Sequence, residues 1–147
     1  MHETNLLEAF ASYRVRPARR GRSALRPDST LVVICGYAGF KSSQVGVFRY
    51  EEDLSGQAGE IAGALRAHLA EAKSNEYDVR VIVAVEVSDS QSVERGAAAR
   101  TSYYARKDLV GRVISFDGER FVIEFRRTQT PTQERLARET SLTRQLA

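Results

Sequence analysis

Residues 79–87 read VRVIVAVEV, and this stretch decides the fold. Six of its nine residues are valine or isoleucine, whose branched side chains favour strands over helices. For most of its length the stretch is apolar on both of the faces that a strand presents. It therefore predicts a central strand that is covered on both sides and anchors the core.

Upstream of this stretch, the pattern predicts two strands and two helices. The β-branched segments 31–37 and 45–50 predict strands that pair as neighbours. In residues 55–74, Ile61, Leu65 and Leu69 share one stripe at helical spacing, which predicts a helix that packs on a sheet. Asn5 and Glu8 have capping-box spacing and predict a short helix that docks on the body.

Downstream, two helices and a hairpin are expected. Ser88 and Gln91 again have capping-box spacing, which predicts a helix reaching about Lys107. Asp117-Gly118 predicts a two-residue hairpin turn in which Phe116 lies opposite Glu119. Pro131 at a first helical position predicts a last helix that runs to residue 147. That hairpin register would turn the following side chains towards the core: Ile114, Phe116, Phe121, Ile123 and Phe125.

These elements together predict an α+β fold of mixed α/β layers. It would have about five strands, including the Asp-Gly hairpin, flanked by four helices. The expected organisation is a docking helix over residues 1–13, an Arg-rich arm or linker over 14–30, and a single α+β domain over 31–147 that ends in a C-terminal helix. A chain of 147 residues is long enough to bury a substantial core.

The charge of the chain is divided into three zones. Residues 1–27 and 100–147 each carry a net +4, whereas residues 28–99 carry −5, so the overall +3 understates two basic zones. Clustered charge of one sign indicates what a protein binds rather than how it folds. The first expectation is an acidic partner.

The sharpest basic segment is YRVRPARRGRSALR, residues 13–26, which holds six arginines and no acidic residue. A guanidinium grips phosphate in two places and stacks on bases better than a lysine does, which favours nucleic acid. The alternatives are a solvated, flexible arm, or an arm that docks on the acidic middle of its own or a neighbouring chain.

Two further basic groups extend the candidate interface. Tyr103, which lies between Arg95 and Arg106, could stack a base while the cations take phosphate. In the predicted hairpin, Arg120, Arg126 and Arg127 extend one face of a two-stranded ribbon, although Glu124 interrupts this basic patch. The candidate nucleic-acid-binding residues are Arg14, Arg16, Arg19, Arg20, Arg22, Arg26, Arg95, Tyr103, Arg106, Arg120, Arg126 and Arg127.

Enzymatic readings are weaker, and neither a cofactor nor a catalytic residue is expected. Cys35 and His68 would both lie in the core rather than form a nucleophile pair. The acidic residues Glu86, Asp89 and Glu94 could hold a divalent ion, which makes a metal-dependent nuclease a distant third hypothesis. A phosphate-loop role for residues 36–42 fails on the spacing of its glycines and lysine.

The leading hypothesis is a non-enzymatic nucleic-acid-binding accessory protein that grips RNA or DNA phosphates with its arm and its basic last third. The alternative is a structural subunit of a protein assembly or homo-oligomer, in which the basic arm docks on an acidic protein surface. A single cysteine and the shortness of the apolar runs predict a cytoplasmic protein with no membrane partner.

Overall fold

A computed structural model describes residues 3–17, 21–87 and 100–128 of the chain. These residues form two α-helices and nine strands, the first of which has only two residues. The helices are α1 (Leu6–Ser12) and α2 (Glu60–Asn75), and a single 3-10 turn covers Tyr37–Gly39. The strands are β1 (Glu3–Thr4), β2 (Ser23–Leu25), β3 (Thr30–Gly36), β4 (Phe40–Gln44), β5 (Val47–Asp53), β6 (Asp78–Val87), β7 (Arg100–Ala105), β8 (Leu109–Phe116) and β9 (Arg120–Arg127).

All nine strands belong to one mixed sheet with β6 near its middle. The main path runs β1-β7-β6-β8-β9-β5-β4. Strand β6 pairs with β7 along residues 82–87, with β8 at Val79 and with β3 along residues 78–84, and β3 in turn pairs with β2. The pairing of β3 with β6 is parallel, whereas every other pairing is antiparallel. The stretch VRVIVAVEV therefore has strands on both edges, as a central strand requires.

The two faces of β6 are both covered, which confirms the prediction made from its sequence. Val79, Val81 and Val83 face a core shared with α2, β3, β5, β8 and β9. Ile82 faces a second cluster that contains Val32 of β3 and residues of α1. Successive side chains of a strand point to opposite faces, so one apolar strand supplies both clusters.

Helix α1 closes the second cluster. Its start is fixed by Asn5, whose Oδ1 accepts a hydrogen bond from the Glu8 backbone N–H at 2.8 Å. Ala9 and Phe10 are completely buried, and Tyr13, directly after the helix, is only 4% exposed. The N-terminal segment is therefore part of the packed body.

Helix α2 packs on the larger cluster through one stripe. Ala62, Leu65, Leu69 and Ala72 are buried along it. Leu65 and Leu69 lie where the sequence predicts, whereas Ile61, predicted on the same stripe, is 43% exposed. The helix begins at Glu60, later than the predicted residue 55, after Gly59 with a φ of +101°. It ends at Asn75, and the capping residue Glu76 adopts the left-handed conformation.

The hairpin of β8 and β9 differs from the predicted one in register. Phe116 pairs with Phe121, not Glu119, so the connection is longer than two residues. A bulge between Val113 and Ser115 then reverses the alternation. As a result Val113 is buried and Ile114 is 39% exposed, although the sequence placed Ile114 on the core face.

The predicted fold class is wrong. The described residues are mostly strand, with nine strands in a mixed sheet and two α-helices, rather than about five strands flanked by four helices. Residues 100–105, predicted as the end of a third helix, form β7 because the free edge of β6 needs a hydrogen-bonding partner. The rest of that helix, and the C-terminal helix, lie outside the described residues.

Two further local expectations are corrected. Strands β3 and β5 are not neighbours, because β3 pairs with β2 and β6 while β5 pairs with β4 and β9. Within the predicted Arg-rich arm, Ser23–Leu25 forms a strand rather than an irregular linker. Three residues are too few for a sequence pattern to reveal, and the open edge of β3 supplies the hydrogen bonds that order them.

Candidate anion-binding pocket

A basic pocket of about 350 Å³ lies where the end of α1 meets the start of β6 and the turn after β7. Four separate parts of the chain contribute to it, namely residues 12–14, 26–30, 78–80 and Lys107, and only the fold brings them together. Its lining residues are Ser12, Tyr13, Arg14, Arg26, Thr30, Asp78, Arg80 and Lys107.

Tyr13 forms an aromatic wall of the pocket. Its hydroxyl donates to the carbonyl of Val81 at 2.8 Å, which fixes the ring. The guanidinium carbon of Arg80 and the ammonium of Lys107 lie 5.6 and 5.7 Å from the ring centroid, within cation–π range. Burial raises the pKa of Tyr13 to about 12, so the ring is neutral at physiological pH and cancels none of the surrounding charge.

Arg80 is the most unusual cation in the pocket, because it is a charged residue in the central strand. One terminal nitrogen donates to the Lys107 carbonyl at 2.8 Å, whereas the buried Nε–H has no acceptor among the described residues. A buried donor without an acceptor costs about 1–3 kcal/mol. The sheet thus holds Arg80 in place without satisfying all of its hydrogen bonds.

Arg14 and Lys107 are the exposed cations of the pocket. Arg14 follows α1 in the left-handed conformation, with a φ of 59°, and its N–H donates to the Ala11 carbonyl at 2.9 Å. Lys107 donates to the Ser12 carbonyl at 3.0 Å, so the ammonium sits at the negative end of the α1 dipole.

The pocket has an excess of positive charge. Arg26 is paired with Asp28 at 2.8 Å, and the one carboxylate of the lining, Asp78, is paired with Arg112 at 3.1 Å. No salt bridge between described residues involves Arg14, Arg80 or Lys107. Three cations without a carboxylate partner among the described residues thus line one pocket with a neutral ring, an arrangement whose charge favours an anion.

Arg22, from the same basic segment, is engaged quite differently. Two of its nitrogens donate to the two Glu52 oxygens, each at 2.5 Å, and its Nε donates to the Ile34 carbonyl at 3.0 Å. Tyr50 also donates to Glu52. Burial acts to raise the pKa of Glu52, but the hydrogen bonds from Arg22 and Tyr50 outweigh it and hold that pKa below its ordinary value. Arg22 is therefore a structural residue within its own chain.

The predicted binding residues of the hairpin, Arg120, Arg126 and Arg127, also have carboxylate partners. Arg120 pairs with Asp53 at 3.2 Å, and Arg126 pairs with Glu124 at 3.1 Å. Arg127 lies 3.7 Å from Asp108 and above the Phe48 ring. These exposed pairs are weak, but each lowers the charge that an incoming phosphate meets.

The Asp108 carboxylate also accepts hydrogen bonds from two nitrogens of Arg106, Nε and Nη2, at 2.8 and 2.7 Å. The hydrogen bond from Arg106 is the main cause that lowers the pKa of Asp108. Tyr103 lies on β7, not on a helix, and packs half-buried against the cluster of α1. Its place in that cluster leaves less of its ring for stacking on a base.

Few of the predicted site residues come together. Arg14 and Arg26 meet in the pocket, and Arg16 lines a different groove beside Ser23 and His68. The predicted residues Arg19, Arg20 and Arg95 lie outside the described residues. The sequence analysis missed Tyr13, Arg80 and Lys107. The only local signal was a charged Arg80 in an otherwise apolar strand.

The weaker chemical readings gain no support from the geometry. Burial raises the pKa of the Cys35 thiol, and the His68 Nδ1 shares a hydrogen bond of 2.7 Å with Ser23 Oγ. Glu86 is exposed, whereas Asp89 and Glu94 lie outside the described residues. Within the described part of the chain, no three histidine, cysteine, aspartate or glutamate side chains are grouped so that they could hold a metal ion.

The comparisons with known proteins do not assign this chain to a family. Comparisons with protein-family models, with curated proteins and with solved structures give no match. Among residues 3–17, 21–87 and 100–128, no helix has the length and apolar character needed to cross a membrane. The geometry of the pocket is therefore the basis for the functional proposal.

Proposed function

We propose that this protein is a non-enzymatic accessory protein that binds the phosphates of RNA or DNA. The observation that carries the proposal is the group of three cations, Arg14, Arg80 and Lys107, around Tyr13 with no carboxylate partner among the described residues. Guanidinium and ammonium groups are the usual ligands of nucleic-acid phosphates. Binding by such groups releases counterions and depends steeply on salt.

The pocket provides one anchoring point rather than a complete interface. A volume of about 350 Å³ is enough for a phosphate and part of its nucleoside. Exposed cations nearby in the sequence, such as Arg16, would add contacts outside it. Since contacts to phosphates carry no sequence information, we expect the contacts of these cations to give little sequence preference.

The test uses substitutions, because deleting the N-terminal segment would remove the fully buried Ala9 and Phe10. The variant Arg14→Gln/Lys107→Gln removes two exposed pocket cations. The matched control, Arg49→Gln/Lys73→Gln, removes an exposed arginine and an exposed lysine outside the pocket. Both doubles change the net charge equally, so they separate a local site from a general charge effect.

Fluorescence anisotropy of labelled single-stranded RNA and duplex DNA over a salt series gives the readout. For single-stranded RNA, we expect the pocket variant to weaken binding and flatten the slope of log affinity against log salt by about 1.4. The control should stay close to the unmodified protein. An equal loss in both doubles would contradict a pocket, and no binding by the unmodified protein would rule out the proposal.

The alternative of an assembly subunit is tested with the same samples. Arg22 and Arg26 of the basic segment pair with Glu52 and Asp28 of their own chain, which leaves fewer arginines for a neighbour. If the protein is an assembly held by charge, its mass by light scattering should fall as salt rises. A constant monomer mass with salt-sensitive nucleic-acid binding favours the first proposal.

A further inference from the structure

We propose that the pocket is a site for a terminal phosphate, that is, a phosphomonoester at the end of a nucleic-acid strand. This inference rests on the proposed function and deepens it, because it names the chemical group that the pocket prefers. It depends on three observations: the charge balance of the pocket, the arrangement of its donors, and the unsatisfied nitrogen of Arg80.

The charge balance favours a dianion. Among the described residues, Arg14, Arg80 and Lys107 form no salt bridge, whereas Arg26 and Asp78 are each neutralised by a partner, Asp28 and Arg112. A phosphodiester inside a strand carries one negative charge, but a terminal phosphate carries about 1.5 to 2 near pH 7. Three cations grouped so closely are excessive for a diester and suit a monoester.

The arrangement of donors also favours a chain end. Tyr13 and Arg80 are the more buried of the lining residues, and Arg14 and Lys107 are exposed. An anion in the pocket would lie between cations from three parts of the chain. A terminal phosphate presents three free oxygens to such donors. An internal phosphate has only two, and it carries a sugar link on each side, so the strand would have to leave the pocket in two directions.

Arg80 provides the third observation. Its buried Nε–H has no acceptor in the part of the chain that the structure describes, while one terminal nitrogen donates to the Lys107 carbonyl at 2.8 Å. A rotation of the guanidinium towards an anion in the pocket would give this N–H a partner. Charge-assisted bonds to guanidinium are about twice as strong as neutral ones, so the gain would go to a ligand of high charge.

The experiment compares one single-stranded RNA in three forms: with a 5′-phosphate, with a 3′-phosphate, and with hydroxyls at both ends. The fluorescent label is placed internally so that both ends are free. We expect one phosphorylated form to bind about tenfold more tightly than the hydroxyl form, a difference of about 1.4 kcal/mol. A nucleoside monophosphate and inorganic phosphate are added as competitors to distinguish a strand end from a free phosphate.

The preference should depend on the pocket cations. In Arg80→Gln and, separately, Lys107→Gln, we expect the three RNA forms to bind alike. Arg49→Gln should keep the preference, because Arg49 pairs with Glu124 outside the pocket. Lys107 is exposed, so its variant keeps the test decisive if Arg80→Gln unfolds.

The pH dependence gives an independent readout. The second pKa of a phosphomonoester is about 6, so the preference should shrink as the pH falls from about 7 to about 5. The charged or titratable groups facing the ligand are Tyr13, Arg14, Arg26, Asp78, Arg80 and Lys107, and no histidine is among the residues that line the pocket.

The possible failures can be told apart. Equal binding of all three RNA forms, weakened by Arg80→Gln, would overturn the terminal-phosphate inference and leave the proposed function standing. No binding of any form would reject both. Competition by free nucleoside monophosphate as strong as that by the phosphorylated RNA would show a small-molecule site and overturn the strand-end inference.

Discussion

Arg22 and Arg80 occupy two regions in which an arginine contacts a tyrosine, and the two arginines are used in opposite ways. Around Arg22, both oxygens of Glu52 accept hydrogen bonds and Tyr50 donates to the same carboxylate. Around Arg80, no carboxylate is paired with the guanidinium, and its Nε–H has no acceptor among the described residues. The first region is neutral overall, and the second keeps its positive charge.

The comparison shows that a count of arginines does not identify a binding site. A guanidinium whose donors are satisfied by a carboxylate has little left for a ligand, whatever its exposure. A guanidinium next to a neutral tyrosine and other cations has no carboxylate to neutralise it, so its charge stays available to a ligand. The unsatisfied Nε–H makes this arrangement unfavourable for the free energy of folding.

The largest effect is expected from replacing each arginine by methionine. Arg22→Met leaves the partly buried Glu52 without its cation and should lower the free energy of unfolding by about 2–4 kcal/mol. Arg80→Met removes one hydrogen bond and a cation–π contact, but it also removes the unsatisfied Nε–H. The free energy of unfolding should therefore change by less than about 1 kcal/mol. Urea unfolding measures both, and equal losses would show that the two regions do not differ.

The second prediction concerns the acid side of the stability curve. The pKa of Glu52 is lowered below its ordinary value of 4.5 in the folded protein, so its contribution is present above that value. It is lost as the pH falls through the folded pKa. Glu52→Gln should therefore be less stable by about 1–3 kcal/mol at neutral pH, with a difference that shrinks below pH 4.5.

Urea unfolding at several pH values checks this, and Glu51→Gln is the matched control. Glu51 is an exposed neighbour that lies 3.6 Å from Lys41, so its replacement should cost little at any pH. A constant difference between Glu52→Gln and the unmodified protein across the acid range would mean that Glu52 does not contribute through its charge.

A smaller effect is expected from Tyr13→Phe. The hydroxyl bonds the Val81 carbonyl, which also accepts from the Arg106 N–H at 3.2 Å, so its loss should cost only about 1 kcal/mol. Because this hydroxyl donates to the Val81 carbonyl, it is not free to bind RNA, so the RNA affinity should change less than about twofold. That corresponds to less than about 0.5 kcal/mol in binding free energy. A large loss of RNA affinity with an intact fold would show that the hydroxyl, rather than the ring, serves the pocket.

The smallest effect is expected at Arg14, whose φ of 59° suits glycine better than arginine. Arg14→Gly should raise the free energy of unfolding by about 0.5–1 kcal/mol while weakening RNA binding. Glu76→Gly, at a left-handed helix end with a φ of 54°, should stabilise similarly without weakening RNA binding. Unchanged RNA binding by Arg14→Gly would remove Arg14 from the site.

Parts of the fold could be predicted because their signals are local and strong. The stretch 79–87 carries its own evidence of burial on both faces, and the α2 stripe of Leu65, Leu69 and Ala72 repeats at helical spacing. The Asn5 cap marks the start of α1. These elements form because nearby residues specify them.

Other strands could not be predicted, because their hydrogen bonds come from distant partners. Ser23–Leu25, Phe40–Gln44 and Arg100–Ala105 are short or polar, and each is ordered along the edge of a stronger strand. The bulge beyond Val113 likewise changed which hairpin side chains are buried. Neither effect leaves a periodic trace in the sequence.

The candidate site was predicted only in part. Arg14 and Arg26 stood out in the basic segment, but Arg80 and Lys107 were assigned to a strand and a helix end without a role. The capping-box pattern places Tyr13 at the end of a docking helix and indicates no binding role for it. The pocket exists because β6 and the turn after β7 are brought against the end of α1.

The sequence by itself determined the charge zones, the central strand and the two described helices, because each depends on composition or on neighbours a few residues away. Only the tertiary structure decided which arginines are neutralised. Arg22 meets Glu52 across 30 residues, and Tyr13 meets Val81 across 68. Electrostatic pairing depends on distances of a few ångströms in space, and for residues so far apart in the chain those distances are set by the sheet.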